Sequence, residues 1–389
     1  MFSDVLILAG GVGERLWPAS TAERPKQFMR LFGGRSFLQE TALRASLLDV
    51  PGKIIIITRK RWVDLAVHEM RALAENGAAN SAAGGPKIPL EKIVIIGEPC
   101  GKNTAPAVAL VSNYLLKRAS KRASKEAGSA AGDTPNLLVL PSDHIITDTE
   151  NFVRDAETAA ACSMEQNIVV FGIPPRSPET GFGYIEAAGP AGALLGGGDK
   201  NTAKVAHFKE KPDEKTAKEY VLSGKWYWNS GLYGFRPDFY LRELAQYAPD
   251  VFRAFDVDLG VLTWETIGGI SALRDSAAVE AAYRNTPSVS IDYAVSEKSG
   301  SVVMVKAAFD WNDAGTWDSL AKYGEAASGL AAGVSVVSSV SSKNNFVYSD
   351  VPVVLCGVED LCVVIKNGKA LVMKKGFGNE VKKIVEQGD

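Results

Sequence analysis

The run Leu8-Ala9-Gly10-Gly11-Val12-Gly13-Glu14-Arg15-Leu16-Trp17-Pro18, followed by Pro25-Lys26, carries the residues best suited to chemistry on an anion. Glycines at the end of a buried strand let backbone N–H groups approach phosphate oxygens. Arg15 adds a planar, permanently charged fork, and Lys26 a compact point charge able to follow a phosphate in transit. Two commoner phosphate motifs fit poorly. No Gly-Lys-Ser/Thr ending follows, as a Walker loop requires. The third glycine of a dinucleotide fingerprint is missing near Leu16, and Pro18 would interrupt its helix. A structural turn accounts for the glycines alone, but not for their company of Arg15, Pro18 and Lys26.

Two carboxylates come next. Asp143 follows the apolar run 137–140, at the strand end where ligands of open α/β sheets sit. Asp313 lies in Trp311-Asn312-Asp313-Ala314-Gly315-Thr316-Trp317, a polar turn between large rings, with Asp310 as a nearby competitor. Mg2+ takes a few carboxylates together with water and substrate phosphates, so two aspartates from distant segments suit a metal that arrives with a nucleotide. The alternative for each is a helix cap or turn. His144 reads as a structural or hydrogen-bonding residue, because magnesium prefers oxygen.

Three further segments hold the groups a sugar phosphate needs: Gly181-Phe182-Gly183-Tyr184-Ile185-Glu186, Phe208-Lys209-Glu210-Lys211-Pro212 and Trp228-Asn229-Ser230-Gly231-Leu232-Tyr233. Together they supply carboxylates, an amide, aromatic rings and a lysine. Any one of them alone is equally a surface loop.

Gly10-Gly11-x-Gly13-x-Arg15-Leu16-x-Pro18 with Pro25-Lys26 resembles the signature of nucleotidyltransferases that make sugar nucleotides. Glu98-Pro99-x-Gly101-Lys102-Asn103-Thr104-Ala105-Pro106-Ala107, Pro141-Ser142-Asp143-His144 and Ser290-Ile291-Asp292-Tyr293-Ala294 are similar to mannose-1-phosphate guanylyltransferases. The resemblance runs through most of the chain. It implies a Rossmann-like catalytic domain over 1–323, a small β-helical domain over 324–389, and use of Mg2+. It implies Asp143 and Asp313 as metal ligands, and Leu8, Ala9, Gly10, Gly11, Gly13, Asn103 and Thr104 against the nucleotide. It further implies Gly183, Glu186, Glu210 and Asn229 at the sugar, and Lys211 on its phosphate. Asn103 stands at a helix start, where an amide reads a purine edge or merely caps the helix. Lys102 stands where the guanylyl branch more usually has arginine, which keeps the charge and loses the bidentate fork.

The elements that must position these groups alternate over the first three-quarters of the chain. Strand patterns at 5–9, 53–58, 93–96, 137–140 and 168–172 alternate with helical patterns at 38–48, 62–75, 105–118 and 151–162. That order argues for an α/β fold with a mostly parallel sheet covered on both faces. Stretches 76–89, 120–134 and 189–202, rich in Gly, Ala or Ser, read as surface insertions. After about Tyr323 come short strands at 334–340, 351–356, 361–365 and 370–374, with Asn367-Gly368 as a hairpin signal and a closing helix at 380–387. No strict hexapeptide period is visible there.

Hydrophobic residues at 46% fit a chain with a real core, and a net charge of −2 argues against a nucleic-acid surface. Cys100, Cys162, Cys356 and Cys362 form no CxxC pair and read as free buried thiols of a reducing compartment. With no signal-peptide pattern and no apolar run of membrane length, a soluble, cytoplasmic protein is expected.

The reaction the resemblance implies is a Mg2+-dependent in-line attack of mannose 1-phosphate on GTP, with pyrophosphate leaving, Arg15 on the leaving group and Lys26 on the α-phosphate. A homodimer is expected. The same chemistry with another pair, such as glucose 1-phosphate with dTTP or ATP, stays open, as does a non-catalytic sugar-nucleotide-binding subunit. The missing third glycine speaks against a dinucleotide-dependent oxidoreductase.

Overall fold

The computed structural model describes residues 1–32, 34–79, 88–125, 134–188, 201–256, 262–326 and 337–386. The first apolar run forms the strand Asp4–Ala9, in which Val5, Leu6, Ile7 and Ala9 are all buried. A strand apolar on both faces needs cover on both. It pairs in parallel with Ile54–Arg59 on one side and Leu137–Pro141 on the other, and Ile54–Arg59 pairs in parallel with Ile93–Glu98. The carboxyl ends of these strands carry Gly10, Arg59 and Glu98.

Among the described residues this sheet has eleven strands, and it is mixed rather than mostly parallel. Trp226–Phe235 runs antiparallel to Leu137–Pro141, Ile168–Ile173 and Tyr184–Ala188. Thr202–Lys209 runs antiparallel to both Tyr184–Ala188 and Val302–Lys306. The strand–helix alternation that announces parallel pairing is absent there, because antiparallel neighbours need no helical crossover.

The chain divides into two compact units. One comprises Met1–Gly10, Ala42–Pro141 and Ile146–Trp311; the other comprises Gly11–Thr41, Ser142–Ile145 and Asn312–Asp389. In the first, helices Thr104–Lys125, Pro237–Tyr247, Pro249–Phe255 and Ala277–Asn285 contribute Val108, Leu115, Phe239, Tyr240, Phe255 and Tyr283 to a core shared with the sheet. In the second, Leu16, Phe37, Ile145, Trp317, Tyr348, Cys362, Val364, Leu371 and Val381 share one core. The C-terminal strands thus pack with the segment that carries the glycine loop.

Within those C-terminal strands, Val337 pairs in parallel with Val353, Lys343 with Glu359, and Phe346 with Cys362, each sixteen positions on. Asn367 and Gly368, both at positive φ, turn Leu361–Lys366 into the antiparallel strand Lys369–Lys374, so the hairpin signal is borne out.

Of the three expected insertions, 80–87, 126–133 and 189–200 lie outside the described residues. So do 327–336, within the C-terminal domain expected over 324–389, and 387–389. Helices Val63–Ala79 and Thr104–Lys125 run into the first two stretches. None of the four cysteines forms a disulfide among the described residues, and only Cys162 and Cys362 are buried. Cys356 points outward on Val353–Cys356, whose residues alternate between buried and exposed, and Cys100 sits after a strand end. Among the described residues no helix is long and apolar enough to cross a membrane.

Candidate functional site

The second unit brings Arg15, Lys26, Asp143 and Asp313 together. Gly13 takes a φ of +76° ahead of the short 3-10 turn Glu14–Leu16, a conformation that favours glycine. A Cβ added there would stand 2.4 Å from Lys26 Cβ. The glycine therefore both makes the turn and makes room for the lysine. Lys26 is only 4% exposed. Its Nζ donates to Asp143 Oδ2 at 2.8 Å and to the Asp313 carbonyl oxygen at 2.6 Å. It stands 5.4 Å from the Phe37 ring centroid.

Asp143 titrates accordingly. Burial alone would raise its pKa, but the Lys26 charge, His144 and the Lys26 hydrogen bond outweigh burial and hold the carboxyl below its ordinary value. Gly315 explains how Asp313 meets Arg15. A Cβ at Gly315 would lie 2.3 Å from Asp313 Oδ2 and 3.2 Å from Arg15 Nη2, so carboxylate and guanidinium converge on a position with no side chain. The cluster thus offers two carboxylates, a buried ammonium and an exposed guanidinium, a set suited to a divalent cation and phosphate oxygens.

Leu8, Ala9 and Gly10 belong to the first unit. Thr58 Oγ1 donates to the Ala9 carbonyl at 2.8 Å, and Arg59 Nε to the Gly10 carbonyl at 3.1 Å. A Cβ at Gly10 would stand 2.8 Å from Glu98 Oε2. At Gly11 it would meet nothing within 4 Å, so packing does not account for that glycine. Asn103 sits at φ +67° and its Oδ1 accepts from the N–H of Thr104, the first residue of the helix, at 2.9 Å, not from the second or third helical N–H that a capping bond uses. Thr104 Oγ1 accepts from Ile291 N–H at 2.8 Å.

Of the sugar-segment residues, Gly183, Glu210 and Asn229 come together. A Cβ at Gly183 would sit 2.5 Å from Glu210 Oε2 and 3.4 Å from Asn229 Cβ. Lys211, at φ +46°, donates from Nζ to Glu210 Oε1 at 2.7 Å. Burial raises the Glu210 pKa more than Lys211 lowers it, and Asp292 and Glu297 add to the rise. Asn229 Nδ2 donates to Asp292 Oδ1 at 2.8 Å, while its Oδ1 accepts from Gly231 N–H at 3.2 Å. Glu186, on the strand Tyr184–Ala188, has Oε2 2.7 Å from His207 Nδ1.

A nucleotidyl transferase family profile matches residues 4–328. The chain belongs to the nucleotidyl transferase family. It is 36% identical over 387 residues to the xanthan biosynthesis protein XanB of Xanthomonas campestris pv. campestris strain B100, covering 99% of this chain and 73% of that protein. It is 36% identical over 384 residues to a mannose-1-phosphate guanylyltransferase of Klebsiella pneumoniae, covering 98% and 73%. A crystal structure described as a mannose-1-phosphate geranyltransferase from Thermus thermophilus superposes with a TM-score of 0.74 at 28% identity, covering 100% of this chain and 99% of that one.

Four residues of this nucleotidyl transferase take places that sequence reasoning did not give them. Asp310 is a loop clamp, accepting from Thr147 N–H at 2.8 Å, Asp148 N–H at 2.6 Å and Thr147 Oγ1 at 2.6 Å. Asp292 receives both Asn229 and the Tyr233 hydroxyl. Glu98 is 5% exposed and accepts from the Tyr283 hydroxyl at 2.6 Å; burial pushes its pKa up to about 7. Asp292 and Glu98 sit inside recognisable motifs. Tyr283 carries no local signal, since its partner lies 185 positions away.

Proposed function

We propose that the protein transfers GMP from GTP to α-D-mannose 1-phosphate, giving GDP-mannose and pyrophosphate. The observation that carries the reading is the convergence of Lys26 with Asp143 and Asp313, and of Asp313 with Arg15. Relatives that are mannose-1-phosphate guanylyltransferases by name support the choice of substrates.

A phosphate oxygen of the sugar phosphate attacks the α-phosphorus of GTP, and the bond to the bridging α–β oxygen breaks as pyrophosphate leaves. No protein nucleophile is required, so catalysis is positioning plus neutralisation of charge. Asp143 and Asp313 would hold Mg2+, which when bound neutralises charge on the reacting phosphates. Arg15 and the N–H groups of Gly11 and Gly13 stabilise the departing pyrophosphate, and Lys26 the α-phosphate in the transition state. Leu8, Ala9, Gly10, Asn103 and Thr104 receive the nucleoside. Gly183, Glu186, Glu210 and Asn229 take the sugar, and Lys211 its phosphate. The proposal includes a β-helix-like domain at 324–389, which the sixteen-residue parallel repeat supports, and a cytoplasmic homodimer.

The test is pyrophosphate release from GTP with magnesium across a panel of sugar 1-phosphates. Release that requires mannose 1-phosphate and fails with dTTP, ATP and UTP is expected. Release with another pair would keep the enzyme class and change the substrates. Tight sugar-nucleotide binding without any release would replace catalysis by a regulatory role.

A further inference from the structure

Arg59 ends the strand Ile54–Arg59 in parallel register with Glu98, which ends the neighbouring strand. Its Nε is fixed on the Gly10 carbonyl at 3.1 Å. Its guanidinium lies so close to Gly101 that a Cβ there would stand 2.2 Å from Nη2 and 2.5 Å from Cζ. The side chain is half-buried, and among the described residues neither Nη atom donates a hydrogen bond and no carboxylate forms an ion pair with it. A planar cation is thus anchored through Nε, with Cζ 5.8 Å from the Trp62 ring centroid and the forked Nη edge making no hydrogen bond among the described residues, at the carboxyl ends of parallel strands. That is where ligands of open α/β sheets bind.

We propose that Arg59 reads the base, its Nη donors engaging O6 and N7 of guanine. Those two adjacent acceptors form the purine edge that a guanidinium matches bidentately. Adenine presents an N6 amine at the corresponding place, and an arginine has nothing with which to accept it. A neutral base also suits the surroundings better than a phosphate, because the Glu98 carboxylate, when ionised, would repel a second anion beside Arg59. The absence of a side chain at Gly101 leaves the guanidinium its place.

The proposal rests on the guanylyl reading, and the test separates the two. The kcat/KM for GTP, 7-deaza-GTP and ATP is measured with mannose 1-phosphate for the unmutated protein, Arg59→Ala and Arg59→Lys, with thermal unfolding to check the fold. Removing N7 should cost the unmutated enzyme about tenfold and cost Arg59→Ala almost nothing. The preference for GTP over ATP should shrink at least about tenfold in both variants, because lysine keeps the charge but not the fork. Equal use of GTP and 7-deaza-GTP by the unmutated enzyme overturns the proposal without recourse to any variant. So does a 7-deaza penalty that survives in Arg59→Ala, or an equal weakening of GTP and ATP. No GTP-dependent release from the unmutated protein overturns the guanylyl reading itself, and the base-reading role with it.

Discussion

The side-chain amide of Asn367 donates to the carbonyl oxygen of Pro18 at 3.0 Å, tying the C-terminal hairpin to the segment between Arg15 and Lys26. Trp317 Nε1 makes a parallel bond to the Trp17 carbonyl at 2.9 Å, and Leu16 lies in the same core as Val364 and Leu371. The C-terminal strands therefore brace the glycine loop. Asn367 also holds φ +55°, which glycine tolerates and alanine does not. Asn367→Ala should lose both the turn and the bond, lowering stability by about 1–2 kcal/mol. Asn367→Gly keeps the turn and loses only the bond. If bracing matters for activity, both variants should raise the KM for GTP at temperatures where both remain folded. A KM that rises only in Asn367→Ala would assign the effect to the turn.

Gly13→Ala tests the other side of the same loop. The new methyl would need a left-handed backbone and would meet Lys26 Cβ at 2.4 Å. Both effects displace Lys26, so kcat should fall at least about a hundredfold while the protein stays folded, a loss comparable to removing one well-aimed transition-state donor. Gly11→Ala is the internal control, because among the described residues nothing apart from its chain neighbours lies within 4 Å of the added methyl. A large loss in that variant would come from crowding the ligand.

Lys26→Ala should lower kcat by far more than it raises either KM, the pattern of an interaction made mainly in the transition state. Near-normal kcat would remove Lys26 from the chemistry and leave it only as the partner of Asp143. Asp313→Asn should lose its response to magnesium. Asp310→Asn, whose native carboxylate serves the loop at Thr147 and Asp148, should keep that response and lose stability instead. Steady-state rates against magnesium concentration distinguish the pair.

What the sequence made legible follows from where the relevant signals are local. The parallel strands announce themselves as apolar runs such as Ile54–Arg59, and Asn367-Gly368 encodes its turn in two residues. The glycine loop, Asp143 and Asp313 are local motifs of the same kind. The antiparallel half of the sheet was not legible, since Trp226–Phe235 carries a bulge between Asn229 and Tyr233 and its burial follows two sets of neighbours. Nor was the place of Asp310, three positions before Asp313, whose partners Thr147 and Asp148 lie 163 and 162 positions away. Arg59 has no motif of its own; its role emerges from Gly10, Glu98 and Gly101 meeting at one end of the sheet.

Glu98 gives the protein a pH dependence of definite sign. Burial raises its carboxyl from an ordinary 4.5 to about 7, against the opposing effects of the Tyr283 hydrogen bond and the Arg59 charge. Between those two values the folded chain holds a proton that the unfolded chain has released. Stability from this group is therefore greatest at low pH and falls as pH rises from about 4.5 through about 7. The whole fall is on the order of 3 kcal/mol. Glu98→Gln, neutral at every pH, should lack that slope, so the stability difference between the two proteins, from urea unfolding at several pH values, should shift in favour of the variant across this window. Tyr283→Phe removes a bond that favours the ionised form and should move the fall to higher pH. A difference between Glu98→Gln and the unmutated protein that stays constant from pH 5 to 8 would mean that Glu98 is already ionised throughout, held so by Arg59 and Tyr283.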